Sequence, residues 1–291
     1  MGKEGRMTRY DADNPLTVIS LGAGVQSSAL LMLAANGELP DSYDQPTDAI
    51  FADTGDEPPS VYRWLEKLSA IADRSGIRLH TVSAGVLSEA VLEGRKGAGI
   101  PAFVANQEGR LAMSSRACTS DYKIAPIRRK VRELIGAGPR GRVAPKSVHM
   151  LIGISTDEVG RAKTSRVDYI INRYPLLDLR ISRNSVKIYV ENQGMGTPPR
   201  SACVFCPYRS NDEWRQLRDA EPDAFRQAVE FDESLRLSNR IRREAGDSNA
   251  TKGDPFVHRS LLPLSQVDLS TPEENGQGSL FGNECEGMCG V

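Results

Sequence analysis

The feature that most constrains this chain is a short glycine loop between an apolar run and a helix-forming run. Residues 16–21 form an apolar, β-branched run, Gly22 and Gly24 follow it, and residues 27–35 are rich in helix formers. This order predicts a buried strand, a tight turn and a helix. Because backbone N–H groups of a glycine loop can approach an anion at the positive end of a helix, the segment also predicts a phosphate site, with a purely structural turn as the alternative.

The alternation of strand and helix continues along the first half of the chain. The further predicted elements are strands at residues 48–52, 78–82 and 147–153 and a helix at residues 59–72. Such alternation predicts an α/β fold with a doubly wound, mainly parallel sheet, whose ligand site lies at the carboxyl ends of the strands. Gly22, Asp53 and Gly153 all follow such strands, so we expect them at one edge of the sheet.

The pattern divides the chain into an N-terminal extension, a nucleotide-binding α/β domain, a smaller loop- and helix-rich C-terminal region with a CxxC pair, and a polar tail. The predicted bounds are residues 1–15, 16–172, 173–269 and 270–291. Prolines become frequent after residue 172, which favours short elements there. The glycine-rich stretch 94–115 is typical of a loop folded over a site.

The charge balance excludes a strong overall field that would draw the protein onto nucleic acid. There are 37 basic and 38 acidic residues, although residues 123–142 are locally basic and could hold a phosphate-rich ligand or form a solvated helix face. No apolar run approaches the roughly 18 residues of a membrane span, and residues 1–14 lack the apolar core of a signal peptide. The sequence therefore predicts a cytoplasmic protein that does not enter membranes.

In a reducing compartment the five cysteines are expected to be metal ligands or redox centres. Cys203 and Cys206 have the spacing at which two thiolates can meet one metal centre. Cys118 is expected at the same strand-end face, and Cys285 and Cys289 follow the polar linker. The open alternatives are an iron–sulfur centre, a zinc site completed by Cys285 or a histidine, a thiol–disulfide pair, and a frayed tail with incidental cysteines.

The loop and the segments after it resemble a family that contains phosphoadenosine-phosphosulfate reductases, ATP pyrophosphatases with a PP-loop and ATP-dependent sulfurtransferases. The family pattern Ser-Gly-Gly-x-Asp-Ser falls on residues 22–27, where Gly24 and Ser27 match and Gly22 and Gln26 depart from it. Residues 53–58 resemble the family's Asp-Thr-Gly turn followed by an acidic residue.

Further similar segments are Cys118 with Lys123 and Pro126, Gly153 to Glu158 with arginines after it, and residues 174–190, so the resemblance spans residues 16–232. Arginine suits such a site because its planar fork pairs bidentately with phosphate or sulfate. The nucleotide-binding residues implied by the resemblance are Leu21, Gly22, Ala23, Gly24, Gln26, Ser27, Ser28, Asp53, Thr54, Gly55, Gly153, Glu158, Arg161 and Arg166.

The resemblance implies an adenine-nucleotide-dependent sulfur-transfer enzyme that activates an acceptor with ATP, with or without Mg²⁺. It also implies a [4Fe-4S] cluster on Cys118, Cys203 and Cys206, with one open iron or with Cys285 as the fourth ligand. Cys118, Cys285 and Cys289 are the candidate catalytic cysteines. The expected partners are a sulfur donor or a cysteine desulfurase and a nucleic-acid or small-molecule acceptor, and a homodimer is compatible with the sequence.

Two other functions stay open at this point. A reductase of phosphoadenosine or adenosine phosphosulfate would use Cys285 or Cys289 as its nucleophile, although the Glu-Cys-Gly-Leu-His ending of such enzymes is missing here. A nucleotide-binding iron–sulfur or zinc sensor without turnover is the non-enzymatic alternative, favoured by the departures at Gly22 and Gln26. His258 is expected to be a structural histidine, and the remaining histidines are given no role.

Overall fold

The computed structural model describes residues 10–105, 110–138 and 141–271. Cys285 and Cys289, and nearly all of the predicted tail, lie outside these residues. Among the helices in the described ranges, none is both long enough and apolar enough to cross a membrane.

A five-stranded parallel sheet lies at the centre of the molecule, which confirms the α/β prediction. Its strands are β1 (Leu16–Leu21), β2 (Asp48–Asp53), β3 (Arg78–Ser83), β6 (Val148–Ile152) and β7 (Ile170–Arg173), and a separate antiparallel hairpin pairs β4 (Phe103–Ala105) with β5 (Leu111–Met113). The order in the sheet is β3-β2-β1-β6-β7, and every neighbouring pair is parallel. The strand order reverses between β1 and β6, and a ligand crevice is expected at such a switch point.

Helices cover both faces of the sheet, because the strand side chains alternate between two apolar cores. The helices are α1 (Val25–Ala35), α2 (Pro59–Arg74), α3 (Leu87–Leu92), α4 (Ala125–Leu134), α5 (Pro175–Asp178), α6 (Arg183–Asn192), α7 (Asn211–Ala220) and α8 (Pro222–Glu244). Ile19 and Phe51 pack with α1, α2 and α6 on one face, whereas Val18 and Ile50 pack with α4 on the other.

A third core lies beside the carboxyl edge of the sheet. It joins α3, α7, α8 and the segment 203–205, and the buried carboxylate of Asp232 fixes the C-terminal chain by accepting the N–H groups of Val257 and Leu264, each at 2.9 Å. Two expectations need correction here. The irregular loop predicted at residues 94–115 contains the β4–β5 hairpin, and β7 was not predicted because its four residues carry too little apolar pattern.

Candidate nucleotide and cysteine site

The glycine loop after β1 is held in place by a serine of the following helix. Gly22 donates its N–H to Ser27 Oγ at 3.1 Å, and the same hydroxyl donates to the Gly24 carbonyl at 3.2 Å. Ala23 is buried and has the left-handed φ of 57°. Gly24 forms the N-cap of α1 without a side-chain cap. The loop therefore presents backbone groups at a helix N-terminus, the arrangement that binds anions.

Gly153, at the end of β6, is where the sheet contacts the start of α1. A Cβ atom at this position would lie 2.8 Å from Gln26 C and from Ser27 N. These are backbone atoms, so they could not move aside without displacing the loop. Gly153 thus permits the close approach between β6 and the glycine loop.

Gln26 connects the loop to the segment that follows β6. Its side-chain amide donates to Ser155 Oγ at 2.7 Å and to Glu158 Oε2 at 3.0 Å. Glu158 also contacts the guanidinium groups of Arg161 and Arg183, the latter at 3.6 Å. An aspartate at position 26, as in the family pattern, would bring a carboxylate towards a carboxylate, so the amide of Gln26 suits this contact.

The turn after β2 also matches its predicted position at the carboxyl edge. Asp53 Oδ1 accepts the N–H of Gly55 at 2.8 Å and the hydroxyl of Tyr62 at 2.9 Å. Burial, followed by the nearby Asp53 carboxylate, raises the pKa of Tyr62, which therefore remains a donor. Gly55 has a φ of 76°, with Val86 close to where a side chain would stand.

Some of the predicted nucleotide residues face away from the loop. Leu21 is buried in the core, and the fully buried hydroxyl of Ser28 accepts the Trp64 indole N–H at 2.8 Å. In this structure the Ser28 hydroxyl therefore points into the core. Arg166 is exposed beyond the 3₁₀ segment Thr156–Arg161.

Next to the turn after β2, one cavity is lined by all three described cysteines. Its lining residues are Thr54, Leu87, Ile100, Pro101, Arg116, Cys118, Thr119, Lys123, Cys203, Phe205, Cys206, Pro207 and Tyr208. The residues are mainly apolar, with two basic side chains among them. Cys118 and the CxxC pair are 85 residues apart in sequence at their nearest, so the fold brings them together.

The CxxC segment is attached directly to the turn after β2. Val204 donates its N–H to the Asp56 carbonyl at 2.8 Å, and Thr54 Oγ1 lies 3.2 Å from Cys203 Sγ. Burial raises the pKa of the Cys203 thiol, and the nearby Glu57 carboxylate adds to this effect. A neutral thiol is therefore favoured there until a metal replaces its proton.

Cys118 stands immediately before a π-helical turn, Thr119–Ile124, that leads into α4. The N–H groups of Ala117 and Cys118 both donate to the Gly99 carbonyl at 2.9 Å. The same π-helical turn carries Lys123, whose Nζ lies 3.5 Å from the fully buried carboxylate of Glu57. Such π-helical turns often occur at functional sites.

Three thiols around one cavity are a donor type that iron–sulfur centres and structural zinc sites share. In the described residues, no group of three His, Cys, Asp or Glu side chains is arranged to hold a metal ion. A mononuclear zinc needs each thiolate about 2.3 Å from one ion. A cubane cluster is held by cysteine thiolates on its iron atoms. The donor set of this cavity fits such a cluster in type.

Two features of this cavity were not predicted from the sequence. The Arg116 guanidinium lies 5.5 Å from the centre of the Tyr208 ring. Arg209 is buried behind the CxxC segment, with Nη2 donating to the carbonyls of Ala202 and Cys203 at 3.0 and 3.2 Å. In the sequence, Arg209 is marked only by its position three residues after Cys206.

His258 and the basic stretch 123–142, which the sequence also singled out, are bonded to groups of the protein itself. His258 is buried between Asn211 Oδ1, 3.0 Å from Nε2, and Ser260, 2.8 Å from Nδ1, in agreement with a structural histidine. Within the basic stretch 123–142, Lys130 pairs with Glu133 and Arg132 donates to backbone carbonyls. Both side chains are half-buried and bonded within the fold.

Comparisons with known proteins find a similar structure but no similar sequence. No protein-family model matches the chain, and no curated protein has a matching sequence. One solved structure with a similar fold is the U34-tRNA thiolase NcsA from Methanococcus maripaludis with its [4Fe-4S] cluster. It is 12% identical, and the match covers 83% of this chain and 74% of that chain at a TM-score of 0.37. At these values the likeness bears on neither the residues nor the chemistry of the site.

Proposed function

We propose that this protein is an adenine-nucleotide-dependent sulfurtransferase that uses a cysteine-held [4Fe-4S] cluster. The observation that carries the proposal is the cavity that Cys118, Cys203 and Cys206 line together, next to the turn after β2. The Thr54–Cys203 contact of 3.2 Å joins the strand-end turn of the proposed nucleotide site to the proposed sulfur site. An activated acceptor would then lie within reach of both.

The nucleotide would be bound mainly by backbone groups and arginines. The N-terminus of α1 supplies partial positive charge towards phosphate oxygens. Arg161 and Arg183, which lie around Glu158 beside the loop, add guanidinium charge for the same oxygens. The glycine loop contains no carboxylate between residues 22 and 28, so a Mg²⁺ ion would be held by the phosphates rather than by the loop.

The proposed reaction has two steps and is redox-neutral with hydrosulfide as the donor. An amide-type acceptor oxygen attacks the α-phosphorus of ATP, the P–O bond to the leaving group breaks, pyrophosphate departs, and the proton of the neighbouring N–H passes to water. Hydrosulfide then adds to the carbon that bears the adenylated oxygen, the C–O bond breaks, AMP leaves, and the sulfur proton moves to that nitrogen. A group with a poor leaving oxygen is thereby converted into a thiocarbonyl.

In this chain, Cys118, Cys203 and Cys206 would hold the cluster. When bound, the cluster supplies a Lewis-acidic iron that can hold sulfide close to the acceptor. The apolar lining from Leu87, Ile100 and Phe205 would keep water from competing as the nucleophile. The acceptor is proposed to be a nucleic-acid base or a small molecule. The sulfur donor is proposed to be sulfide, or a cysteine desulfurase whose persulfide is reduced to hydrosulfide by a thiol reductant.

The first test is anaerobic purification and reconstitution, with iron, sulfide and zinc analysis and an absorption spectrum. We expect about four iron and four sulfide per chain from the proposed cluster type. Cys203→Ala, Cys118→Ala and Cys206→Ala should each lose most of the bound iron. Leu217→Ala is the matched control, since Leu217 is buried in the same core and carries no sulfur. Equal iron loss in the control, or a wild type without iron, would contradict the cluster.

The second test separates the proposed reaction from its alternatives. With the loaded protein, ATP, sulfide and a pool of nucleic acids or small carbonyl compounds, we expect AMP and pyrophosphate release together with sulfur incorporation. Release of sulfite from an adenylyl sulfate, abolished by changing Cys285 or Cys289, would establish a reductase instead. Tight ATP binding without turnover of either substrate would favour a sensor.

A further inference from the structure

Arg209 is a buried cation whose charge has no direct carboxylate partner. Its side chain is 7% exposed, and within the described ranges no Asp or Glu oxygen lies within the 4.0 Å of an ion pair. Its Nε–H group has no hydrogen-bond partner among the described residues. The guanidinium lies 5.6 Å from the centre of the Trp214 ring and donates to two carbonyls, contacts that stabilise a cation without neutralising it. Because a buried charge costs several kcal/mol unless it is compensated, an anion beside Arg209 would stabilise this position further.

The charged neighbours show where that negative charge belongs. The ionisable groups that face Arg209 are Cys206, Arg200, Glu57 and Cys203. Glu57 already lies 3.5 Å from Lys123, and Arg200 pairs with Glu213. The thiols of Cys206 and Cys203 are the remaining groups that could become anionic. The Arg209 side chain also donates to the Cys203 carbonyl. The backbone N–H of Arg209 donates to the Cys206 carbonyl at 3.2 Å, which fixes the position of Arg209 relative to the cysteine pair.

We propose that Arg209 is the counter-charge of an anionic metal–thiolate centre held by Cys203 and Cys206. It acts as a positioning residue, because it contacts the backbone of the cysteine segment and no substrate. Its charge stabilises the thiolates and, for an iron–sulfur centre, favours the reduced state, which carries one more negative charge. The inference rests on the proposed function, since it requires a metal centre at these cysteines.

The test compares Arg209→Gln, which removes the charge, with Arg209→Lys, which keeps it. After anaerobic loading, release of the metal to a chelator should be about tenfold faster in Arg209→Gln, the size expected for one lost charge interaction. The midpoint potential of an iron–sulfur centre should also move to more negative values. Arg209→Lys should stay near the wild type in both measurements. Arg236→Gln is the control, because Arg236 is equally buried in the same part of the fold but pairs with Asp232.

Arg209→Met provides a second uncharged variant if Arg209→Gln does not fold. Its side chain keeps the apolar stem of Arg209 without the charge. Metal release from Arg209→Met should be faster than in the wild type to the same extent as expected for Arg209→Gln, and release at the wild-type rate would contradict the charge effect.

Three outcomes would overturn the inference. Equal release and potential in Arg209→Gln and wild type would remove the proposed charge effect. Equal impairment in Arg209→Lys and Arg209→Gln would assign Arg209 a role in packing alone. A wild type that binds neither iron–sulfur centre nor zinc would overturn this inference and the proposed function together, whereas normal loading with unaffected variants would overturn only this inference.

Discussion

At the scale of single residues, the side chains around the glycine loop have separate tasks. Ser27 accepts a hydrogen bond from the loop backbone, and Ser28 accepts one from the Trp64 indole. Gln26 donates to Glu158, on the segment after β6. Neighbouring residues of one motif therefore contact the loop backbone, the core and the segment that follows β6. Their residue types alone do not distinguish these tasks, because each side chain can donate and accept hydrogen bonds.

Gln26→Glu tests the contact between the loop and Glu158. The change keeps the shape of the side chain but places a carboxylate where the amide now lies 3.0 Å from Glu158 Oε2. Because like charges at this distance repel, we expect ATP affinity to fall by about tenfold, measured by calorimetry. Gln193→Glu, at an exposed position after α6, makes the same chemical change and should bind ATP normally. Normal affinity in Gln26→Glu would show that this contact does not organise the loop.

At the scale of elements, the site depends on how closely β6 approaches α1. The glycine loop is local in sequence, but its shape is completed by residues on β6 and on the segment after it. Gln26 and Ser155 are 129 residues apart and share a hydrogen bond of 2.7 Å. The sheet order, in which β1 is flanked by β2 and β6, creates this contact.

Gly153→Ala tests the β6–α1 approach. The added methyl group would lie 2.8 Å from backbone atoms of Gln26 and Ser27, so the loop must shift. We expect a loss of about 1–3 kcal/mol in the free energy of unfolding and weaker ATP binding. Gly160→Ala is the matched control, since no atom lies within 4 Å of its added methyl group. Chemical denaturation and ATP titration measure both effects, and two variants of equal stability would refute the steric argument.

Asp48→Asn tests the charge of a buried carboxylate at the amino end of β2, where this strand pairs with β3. Burial by itself would raise the pKa of Asp48, but hydrogen bonds from Arg78, His80 and Thr47 outweigh it and lower the pKa. A lowered pKa stabilises the fold above the unfolded value of about 3.9 and loses that effect as the pH falls through the folded value.

We therefore expect Asp48→Asn to cost about 1–3 kcal/mol at pH near 7 and progressively less below about pH 4. Denaturation curves across this range give the measurement. Asp44→Asn, on a side chain that is 69% exposed, should have little effect at either pH. A cost that is the same at both pH values would mean that the charge of Asp48 does not contribute. ATP affinity should be unchanged, because Asp48 lies at the amino end of β2.

At the scale of the whole molecule, the sheet and the third core meet at the cysteine cavity. The turn after β2 contributes Thr54, the segment before α4 contributes Cys118, and the CxxC segment beside the third core contributes Cys203 and Cys206. Formation of the cavity therefore requires the whole fold.

The joint replacement Cys285→Ser/Cys289→Ser tests whether Cys118, Cys203 and Cys206 are enough to hold the proposed cluster. Since Cys118, Cys203 and Cys206 already share one cavity, we expect iron and sulfide content after reconstitution to stay close to the wild type. A single change, Cys206→Ser, serves as the comparison and should lose most of the iron. Loss of iron in the joint replacement would instead make the tail a ligand of the cluster.

The sequence by itself determined the features that depend on neighbouring residues. The apolar run at residues 16–21, the glycines after it and the alternation of strands with helices were enough to predict the first strand, the loop and the parallel sheet. These predictions succeed because strand pairing and glycine turns follow from local sterics and from apolar burial. The short β7 strand was missed because its residues carry no such pattern.

Only the tertiary structure decided which side chains face the site. It directed Ser28 into the core, paired Gln26 with Glu158, brought Cys118 to the CxxC segment and buried Arg209 behind it. Each of these contacts joins residues distant in sequence or depends on which face of an element is covered. Side-chain direction is set by packing across the whole fold, and no local pattern encodes it.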